Sequence, residues 1–226
     1  MAPTPRNRAS EALRAETARF RGDPGKAGPV QDVEESWPVD TSHDLYRSKL
    51  PFALRADAVR RPGHPTEEPF TRVVLEHPGA VVVLAVDDEE RVLCLRQYRH
   101  PVGQRLIELP AGLLDVADEE PQGAAERELV EEAGLRAGSW TSLGWAYTSP
   151  GISSEVHHFF LARGLESADR GDFVPAHEEA EMETVWVPFA ELLAAVLDGR
   201  VRDAPVMVAV LVARERGLIG SRGSKG

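Results

Sequence analysis

The sequence contains almost no cysteine and no long apolar segment, and both absences limit what the protein can be. Cys94 is the only cysteine among 226 residues, so an intrachain disulfide and a thiolate metal cluster are excluded. The longest apolar run, AVVVLAV at residues 80–86, is far shorter than the roughly 20 residues of a transmembrane helix. The Arg-rich N-terminus also lacks the apolar core of a signal peptide. We therefore expect a cytoplasmic protein without membrane contact.

Positive charge is scarce as well. The chain has 26 Lys and Arg against 37 Asp and Glu, a formal net charge of −11. General nucleic-acid binders need a basic surface that displaces counterions from phosphates, so we expect no nucleic-acid partner. A small phosphate ligand held by a few local cations stays compatible with this balance. The length and the 42% hydrophobic content are enough for one main domain with a sizeable core.

Composition divides the chain into four parts. Residues 1–35 are rich in Arg, Ala, Gly and Pro without sustained periodicity, and we expect a disordered arm there. Strand-like segments at 44–75 form an N-terminal region that precedes the main domain at 76–217. The last residues, 218–226, have the composition of a flexible tail.

Strand patterns dominate the chain and are interrupted by one helix and closed by two. The first helix is predicted at 121–133, between Pro121 and Gly134, and the others at 189–199 and 204–217. This order indicates an α/β sandwich with a mixed sheet packed between helices. The predicted strands are 44–50, 52–60, 71–77, 80–87, 91–99, 141–149, 156–164 and 182–189, with a further strand in 105–115 that runs into a loop.

The first helix carries an unfavourable arrangement of charge. Glu128, Glu131 and Glu132 share one face, where each like-charged pair costs roughly 0.2–0.5 kcal/mol. They also lie toward the C-terminus of the helix, where the macrodipole is already negative. A solvated acidic helix is one explanation. A hard divalent cation is another, because Mg²⁺ binds carboxylate and carbonyl oxygens together with substrate phosphates.

The segment GLLDVADEEPQGAAERELVEEAGL, from Gly112 to Leu135, resembles the Nudix box. The family pattern is Gly, five residues, Glu, seven residues, and then Arg-Glu-apolar-x-Glu-Glu-x-Gly-apolar. Counting back from Arg127 places the isolated glutamate at Glu119, with six residues between it and Gly112 instead of five. The extra residue lies in the loop before the helix, where insertions are tolerated most easily, and leaves RELVEEAGL intact.

The resemblance implies a Nudix α/β/α sandwich that hydrolyses a nucleoside diphosphate linked to another group. By position, Glu128 and Glu132 match the principal metal ligands, the carbonyl of Ala111 matches a backbone ligand, and Glu131 matches a secondary one. The implied cofactor is Mg²⁺, with Mn²⁺ as an alternative. Arg127 is expected to orient the glutamates by ion pairing, the alternative being a simple i,i+4 pair with Glu131.

Flanking motifs are similar to those of the ADP-ribose pyrophosphatase subfamily. ELPAG precedes the box, YTSPGISSE follows it, and Pro150 stands fifteen residues after Leu135, a spacing typical of the subfamily. The resemblance covers roughly residues 44–215 and implies cleavage of ADP-ribose to AMP and ribose 5-phosphate. It also implies a homodimer built through the N-terminal strands.

The general base that the resemblance implies is Glu155, on the loop after the box. Gly151 and two serines suggest that this loop is flexible and closes over substrate. His157 and His158 are alternatives on chemistry alone. Since adjacent residues of a strand face opposite ways, at most one of the two histidines can point into the site.

Four further residues are candidates for substrate binding. Arg72 and Arg99 match basic positions that contact phosphate or ribose in relatives, although each also fits a surface charge. Phe52 is a candidate for stacking on adenine across the dimer, although an aromatic near the start of a strand also fits the core. Asp115, and with it Glu108, are candidates for contacting ribose hydroxyls or ordered water.

Three other functions fit parts of the sequence. The same chemistry could act on a nucleotide sugar, NADH or a dinucleoside polyphosphate. A non-catalytic ADP-ribose sensor would need a DNA-binding domain, yet only about forty residues follow the last predicted strand, and the glutamate set is complete. A purely structural interaction protein leaves the acidic helix unexplained.

Overall fold

A computed structural model describes residues 30–171 and 181–220. The chain divides into two compact units, one of Met1–Tyr46 with Arg55–Val73 and one of Arg47–Leu54 with Val74–Gly226. Segment 47–54, which the sequence placed with the N-terminal strands, therefore belongs to the second unit. Most of the predicted arm, residues 1–29, lies outside the described residues.

The first unit is built on three strands, β1 at Val39–Arg47, β2 at Ala53–Val59 and β3 at Phe70–Glu76, in the sheet order β1-β2-β3. Every residue of β1 is exposed, whereas β2 is largely buried. Arg55 and Asp57 form a buried ion pair on β2, at 2.9 Å between Nε and Oδ1. Ser42 donates a hydrogen bond to the same carboxylate, which ties β1 to β2.

Among the described residues of the second unit there are seven strands and three helices. The sheets run β7-β4-β9-β8 and β10-β5-β6, and their strands pair antiparallel except for the parallel pair β4 and β9. The mixed sheet that the sequence predicted is therefore present. The strands are β4 Ala80–Ala85, β5 Arg91–Arg99, β6 Gln104–Glu108, β7 Ala111–Leu113, β8 Leu135–Tyr147, β9 Val156–Ser167 and β10 Glu183–Pro188.

The helices are α1 at Pro121–Ala133, α2 at Phe189–Leu197 and α3 at Ala204–Glu215, with a 3-10 turn at His100–Val102. Gly134 ends α1 in the left-handed region at φ 64°, where a glycine has no steric penalty. Asp203 begins α3, because its side chain accepts a hydrogen bond from the amide of Val206. Among the described residues, none of these helices combines the length and apolar character that crossing a bilayer requires.

The core lies on both faces of the central sheet. Strand β4 is buried along its whole length, and its alternate residues point to opposite sides. Val81 and Val83 pack with Leu129 of α1 on one side. Val82 and Leu84 pack with apolar residues of α2 and α3 on the other side. The predicted α/β/α sandwich is confirmed, with α1 as one outer layer.

Several strand boundaries differ from the predictions, and β1 occupies Val39–Arg47 instead of the predicted 44–50. The one strand predicted within 105–115 is two strands, because β6 pairs with β5 whereas residues 111–113 form β7 and pair antiparallel with β4. Strand β8 begins at 135, directly after α1, whereas the sequence placed its start at 141. The added residues pair with the distal half of β9, up to residue 167, and that pairing partner lies far away in sequence.

The C-terminal segment 218–220 is part of the folded domain. Ile219 is buried, and the amide of Gly220 donates to Oε2 of Glu90 at 3.1 Å. Arg163 donates to the carbonyl of Leu218 at 3.2 Å. The tail predicted at 218–226 is therefore held at its first three residues, and 221–226 lie outside the described part of the chain.

Candidate active site

Arg127 is the cation around which the acidic helix is organised. Its Nη1 lies 2.6 Å from Oε1 of Glu128 and 3.1 Å from Oε2 of Glu131, both on α1. Its Nε and Nη2 donate to the two oxygens of Glu119 at 3.2 and 3.1 Å. These carboxylates raise the pKa of Arg127, with the Glu119 hydrogen bonds as the largest cause. One guanidinium thus offsets much of the repulsion among three glutamates, and the i,i+4 pair with Glu131 is part of that arrangement.

Glu128 lies at the crowded centre of this cluster. Burial raises its pKa to about 7, and the nearby charges of Glu131 and Asp115 add to the rise, while Arg127 opposes it. The side chain is 12% exposed. The ionised cluster is therefore electrostatically unfavourable even with Arg127 present, and a bound divalent cation would stabilise it.

Gly112, at the centre of β7, allows the carboxylate of Glu128 to lie directly against the backbone. A Cβ at position 112 would overlap the Cγ, Cδ and Oε1 atoms of Glu128. The glycine that opens the box is therefore needed for space at the carboxylate. Because the obstructed group is the end of a flexible side chain, a larger residue would displace the carboxylate and leave the strand in place.

Gly112→Ala is expected to fold but to need at least about 10-fold more Mg²⁺ for half-maximal activity, since outer contacts alone move metal affinity 10–100-fold. Gly123→Ala on α1 is the matched control, because its Cβ would meet only Cγ of Glu119 at 3.7 Å. The control should keep its activity and gain about 0.5–1 kcal/mol of stability. Mg²⁺ titrations of the rate, with thermal unfolding curves, measure both; equal Mg²⁺ requirements would contradict the role of Gly112.

Glu132 is buried and is held by the backbone of β7. Its Oε2 accepts a hydrogen bond from the amide of Ala111 at 2.9 Å. Ala111 is the residue whose carbonyl was predicted as a backbone ligand, so the structure brings these two candidates together. Ala111 belongs to the strand that also carries Gly112, so Glu128, Glu132 and Ala111 lie where α1 meets β7.

The donors gathered there fit a hard divalent cation. Carboxylates of Glu128 and Glu132 and the backbone of Ala111 supply oxygen, the ligand type that Mg²⁺ prefers. As placed, these carboxylates bind protein donors, Glu128 to Arg127 and Glu132 to the Ala111 amide. Accordingly, no group of three His, Cys, Asp or Glu side chains within 30–171 and 181–220 is arranged to hold a metal ion. A cation would have to replace some of these contacts.

Arg170 supplies a second cation at the C-terminus of α1. Its Nη2 donates to the carbonyl of Glu132 at 2.6 Å, and the amide of Ala168 donates to the carbonyl of Gly134 at 2.8 Å. A cation at a helix C-terminus offsets the negative end of the macrodipole. Arg170 lies 38 residues from Glu132, and no local pattern in the sequence indicates this contact.

Arg170→Ala is expected to lower the free energy of unfolding by about 1–2 kcal/mol, because it removes a charged hydrogen bond to a helix carbonyl. Arg136→Ala is the matched control, since Arg136 pairs with Glu166 where both side chains are about two-thirds exposed. That surface pair should contribute roughly 0–1 kcal/mol. Urea unfolding of the two variants makes the comparison, and equal losses would show that Arg170 does not cap α1.

Arg99 and Glu108 form a bidentate pair on neighbouring strands β5 and β6. Nε and Nη2 of Arg99 lie 2.9 and 2.6 Å from the two carboxylate oxygens of buried Glu108. This pairing raises the pKa of Arg99, and the charges of Asp203 and Glu132 contribute. Arg99 therefore lies within electrostatic reach of a predicted metal ligand. Burial raises the pKa of Asp203 to about 6, and Glu108 adds to the rise.

Glu155 lies in a histidine cluster. Its Oε1 is 3.0 Å from Nε2 of His157 and 3.4 Å from Nε2 of His77, and its Oε2 accepts a hydrogen bond from Thr148. These contacts lower the pKa of Glu155 to about 2, with the His157 hydrogen bond as the largest cause. Neither His77 nor Thr148 was a candidate from the sequence. His158, the neighbour of His157, is buried.

The loop that carries Glu155 is tied to the end of β3. The amide of Leu75 donates to the carbonyl of Ile152 at 2.8 Å, and the amide of Ser154 donates to the carbonyl of Leu75 at 3.2 Å. Ser153 adds a hydrogen bond from its Oγ to the same carbonyl. The sequence predicted a flexible loop, whereas these hydrogen bonds fix its second half.

The remaining substrate candidates are placed separately. The ring of Phe52 stacks on His77 at 6.1 Å between centroids and 7° between planes, and thereby reaches the histidine cluster. Asp115 is exposed and acts on Glu128 through its charge. Arg72 lies in the first unit, exposed, with its guanidinium 4.6 Å from the centroid of the Phe70 ring.

The sandwich fold and the glutamate helix with its organising arginine define a Nudix hydrolase site. The Nudix domain family matches residues 76–210, and the chain belongs to that family. It is 46% identical over 179 residues to a protein named ADP-ribose pyrophosphatase from Mycobacterium tuberculosis, covering 79% of this chain and 84% of that protein. A protein of the same name from Bacillus subtilis is 36% identical over 146 residues, covering 65% of this chain and 77% of that one.

The crystal structure of an ADP compounds hydrolase has the same fold. It aligns with a TM-score of 0.65 at 22% sequence identity, covering 83% of this chain and 98% of that one. The family and the fold that the sequence predicted are therefore confirmed.

Proposed function

We propose that this protein hydrolyses the pyrophosphate of ADP-ribose to AMP and ribose 5-phosphate. The observation that carries the proposal is the set of glutamates that Arg127 and Gly112 hold at the junction of α1 and β7. The two similar proteins named ADP-ribose pyrophosphatase support the choice of substrate. The single, buried Cys94 suits a reducing compartment, and we infer a cytoplasmic location from it.

Glu128, Glu132 and the carbonyl of Ala111 would hold the cation, with Glu131 as a further ligand. The proposed ion is Mg²⁺, and Mn²⁺ has the same preference for oxygen ligands. When bound, it supplies charge neutralisation for the pyrophosphate and polarises the phosphorus under attack. Arg127 keeps the carboxylates from repelling one another, so that the ligands are in place before the substrate arrives.

Glu155 is the proposed general base. The oxygen of a water molecule attacks one phosphorus of the pyrophosphate, the bond from that phosphorus to the bridging oxygen breaks, and Glu155 takes the proton from the water. With His157, His77 and Thr148 around it, the carboxylate of Glu155 is ionised at neutral pH. It keeps a free oxygen lone pair that can accept this proton. Its low pKa makes it a weak base, so its effectiveness depends on accurate placement.

Substrate recognition is proposed for the remaining candidates. The guanidinium of Arg99 would bind a phosphate while it remains paired with Glu108. Arg72 is an exposed cation that could bind the same type of ligand. The ring of Phe52 stacks on His77, and its other face would stack on the adenine ring of the substrate. Asp115 would accept hydrogen bonds from ribose hydroxyls.

A substrate panel tests the proposal. Phosphate released by a coupled phosphatase would be measured for ADP-ribose, NADH, nucleotide sugars and diadenosine polyphosphates. We expect the highest kcat/KM for ADP-ribose. A higher kcat/KM for a nucleotide sugar or NADH would support pyrophosphate hydrolysis but would show that ADP-ribose is not the preferred substrate. Tight ADP-ribose binding without turnover would instead indicate a non-catalytic sensor.

We also propose a homodimer that forms through the strand region 44–75. Strand β1 is exposed along its whole length, and Leu45 and Tyr46 on it are 51% and 58% exposed. Large apolar side chains exposed together mark an interaction surface. A second copy of the chain is the occupant that the subfamily resemblance implies.

Light scattering is expected to give twice the 24.7 kDa mass of the chain. Deletion of residues 1–35 should lower the mass only by that of the removed residues and should leave the dimer and the activity largely unchanged. Leu45→Arg should produce a monomer with reduced activity, because it places a charge on the exposed apolar face of β1. Leu197→Arg on α2 is the matched control, since Leu197 is 70% exposed outside this region. A fully active monomeric wild type would contradict the proposal.

A further inference from the structure

Three side chains at separate strand ends surround the carboxylate of Glu155. Oε1 lies 3.0 Å from Nε2 of His157 and 3.4 Å from Nε2 of His77, and Oε2 accepts a 2.5 Å hydrogen bond from Thr148. Thr148 directly follows β8, His157 is the second residue of β9, and His77 directly follows β3. Because both carboxylate oxygens are engaged, the group cannot rotate without breaking a contact.

The backbone of the same residue is fixed as well. Its amide donates to Oγ of Ser153 at 3.1 Å, and that hydroxyl donates to the carbonyl of Leu75 at 3.3 Å. Its carbonyl accepts a hydrogen bond from the amide of Thr148 at 3.4 Å. Glu155 is therefore oriented at both its main chain and its side chain, although it lies on a loop.

The protonation state of His157 follows from its two ring nitrogens. An ionised carboxylate only accepts hydrogen bonds, so Nε2, facing Oε1, must carry the hydrogen. Nδ1 is buried and has no hydrogen-bond partner among the described residues. A second proton on Nδ1 would bury a charged N–H without an acceptor, which is unfavourable. Nε2 of His157 is therefore the donor to Oε1 of Glu155, and His158, the next residue of β9, points to the opposite side of the strand.

We propose that His157 is a positioning residue for the reaction: its Nε2–H holds the carboxylate of Glu155 in the orientation that proton transfer requires, and His77 lies beside the same oxygen. The inference rests on the proposed function, in which Glu155 is the base. Nothing in the Nudix box specifies it, because His77, Thr148 and His157 all lie outside residues 112–135.

Removal of the His157 donor has two opposing consequences. The pKa of Glu155 rises from about 2 toward its ordinary value, which makes the carboxylate a stronger base. The carboxylate also becomes free to turn, and a displacement of about 1 Å can cost about 10²-fold in rate. The orientational loss is the larger effect, so we expect a net decrease in kcat.

The titratable neighbours of the pair come from two other elements. His77, after β3, has its pKa lowered, mainly by burial. Asp203, at the N-terminus of α3, acts on the cluster through its interaction with His157. Thr148 carries no charge. A titration in which only the His157 donor is removed therefore reports mainly on Glu155.

Nuclear magnetic resonance of the full protein labelled with ¹³C at the glutamate carboxyls tests the contact itself. The Glu155→Gln spectrum would identify the resonance of Glu155. In the wild type we expect no titration of this resonance above about pH 3.5, because the folded pKa is far below the ordinary value of about 4.3. In His157→Phe the midpoint should move above about pH 3.5, by at least about one unit.

Kinetics on ADP-ribose test the consequence. His157→Phe is expected to lower kcat by about 10–100-fold, with KM changed less than about 3-fold. His157→Gln, whose side-chain amide can donate to Oε1, should restore most of kcat. His64→Gln is the matched control, since His64 is an exposed histidine 3.2 Å from Glu67 in another part of the chain.

The two measurements separate the possible failures. An unmoved Glu155 midpoint in His157→Phe and in His157→Gln would overturn the proposal, whether or not the protein turns over substrate. If the Glu155 midpoint moves in His157→Phe but kcat is unchanged, the contact between His157 and Glu155 is supported and the positioning role of His157 is refuted. A wild type that shows the Glu155 titration behaviour but no hydrolysis of ADP-ribose would refute the proposed function and, with it, a role for His157 in that reaction.

Discussion

Glu128→Gln and Glu132→Gln are each expected to lower turnover of ADP-ribose by orders of magnitude while the fold is retained. Each change removes a charged oxygen from the proposed metal ligands. Glu128→Gln also removes one like charge from a cluster that Arg127 only partly neutralises, so it should not lower stability. In Glu132→Gln the amide oxygen can still accept the hydrogen bond from Ala111, which preserves the junction of α1 and β7.

Glu126→Gln is the control for this experiment. Glu126 lies on the same helix, is exposed, and accepts a hydrogen bond from the side chain of Gln122. The same chemical change there should leave turnover and the Mg²⁺ requirement unchanged. Steady-state rates at several Mg²⁺ concentrations, with unfolding curves, distinguish lost ligands from lost structure. Near-normal rates in both Glu128→Gln and Glu132→Gln would contradict their assignment as metal ligands.

Glu155→Gln is expected to reduce kcat by about 10²–10⁴-fold, the usual span for a general base. Metal affinity and ADP-ribose affinity should change little, because the amide keeps the shape and the hydrogen bond from Thr148. A metal ligand would behave differently and lose affinity together with rate. Mg²⁺ titration and ADP-ribose binding of Glu155→Gln, measured beside Glu132→Gln, therefore separate the two roles.

Two outcomes of this comparison would change the assignment of Glu155. Weakened Mg²⁺ binding in both variants would make Glu155 a metal ligand. An unaltered rate in Glu155→Gln would move the base to Glu119, Glu131 or a histidine. Because Glu155 has a low pKa, an unaltered rate would show that accurate placement does not compensate for its weak basicity.

The acidic helix was predictable because its determinants are local. Pro121 and Gly134 flank it, and the observed helix occupies the predicted residues 121–133. The spacing of Glu128, Glu131 and Glu132 placed them on one face, and the structure adds how their repulsion is offset. Arg127 was recognisable as a partner because it lies on the same helix, one to four residues away.

The histidine cluster could not be predicted because its members meet only in the folded chain. His77 lies 78 residues before Glu155, and the parallel bridge between Leu75 and Ser153 brings the two segments together. The same bridge explains why the loop is more constrained than its glycine and serines suggested. Composition reports the freedom of an isolated segment and not the hydrogen bonds that a distant strand supplies.

Strand ends show the same limit. The sequence placed the start of β8 six residues late, because residues 135–140 have no strong alternation and form a strand only through pairing with β9. Likewise, Ala111–Leu113 pair with β4, and this short strand positions both the Ala111 amide and Gly112 against the glutamates. The site therefore depends on β7, which the sequence did not distinguish from the single strand predicted within 105–115.

Product analysis of ADP-ribose turnover tests the central claim most directly. Purified protein would be incubated with ADP-ribose and Mg²⁺, and with ADP-ribose and a chelator, and the nucleotide and sugar phosphate products would be separated and counted. We predict AMP and ribose 5-phosphate in equal amounts with Mg²⁺ and neither product with chelator. Absence of AMP with both Mg²⁺ and Mn²⁺, or equal AMP formation in the chelator, would contradict a cation-dependent ADP-ribose hydrolase built on Glu128 and Glu132.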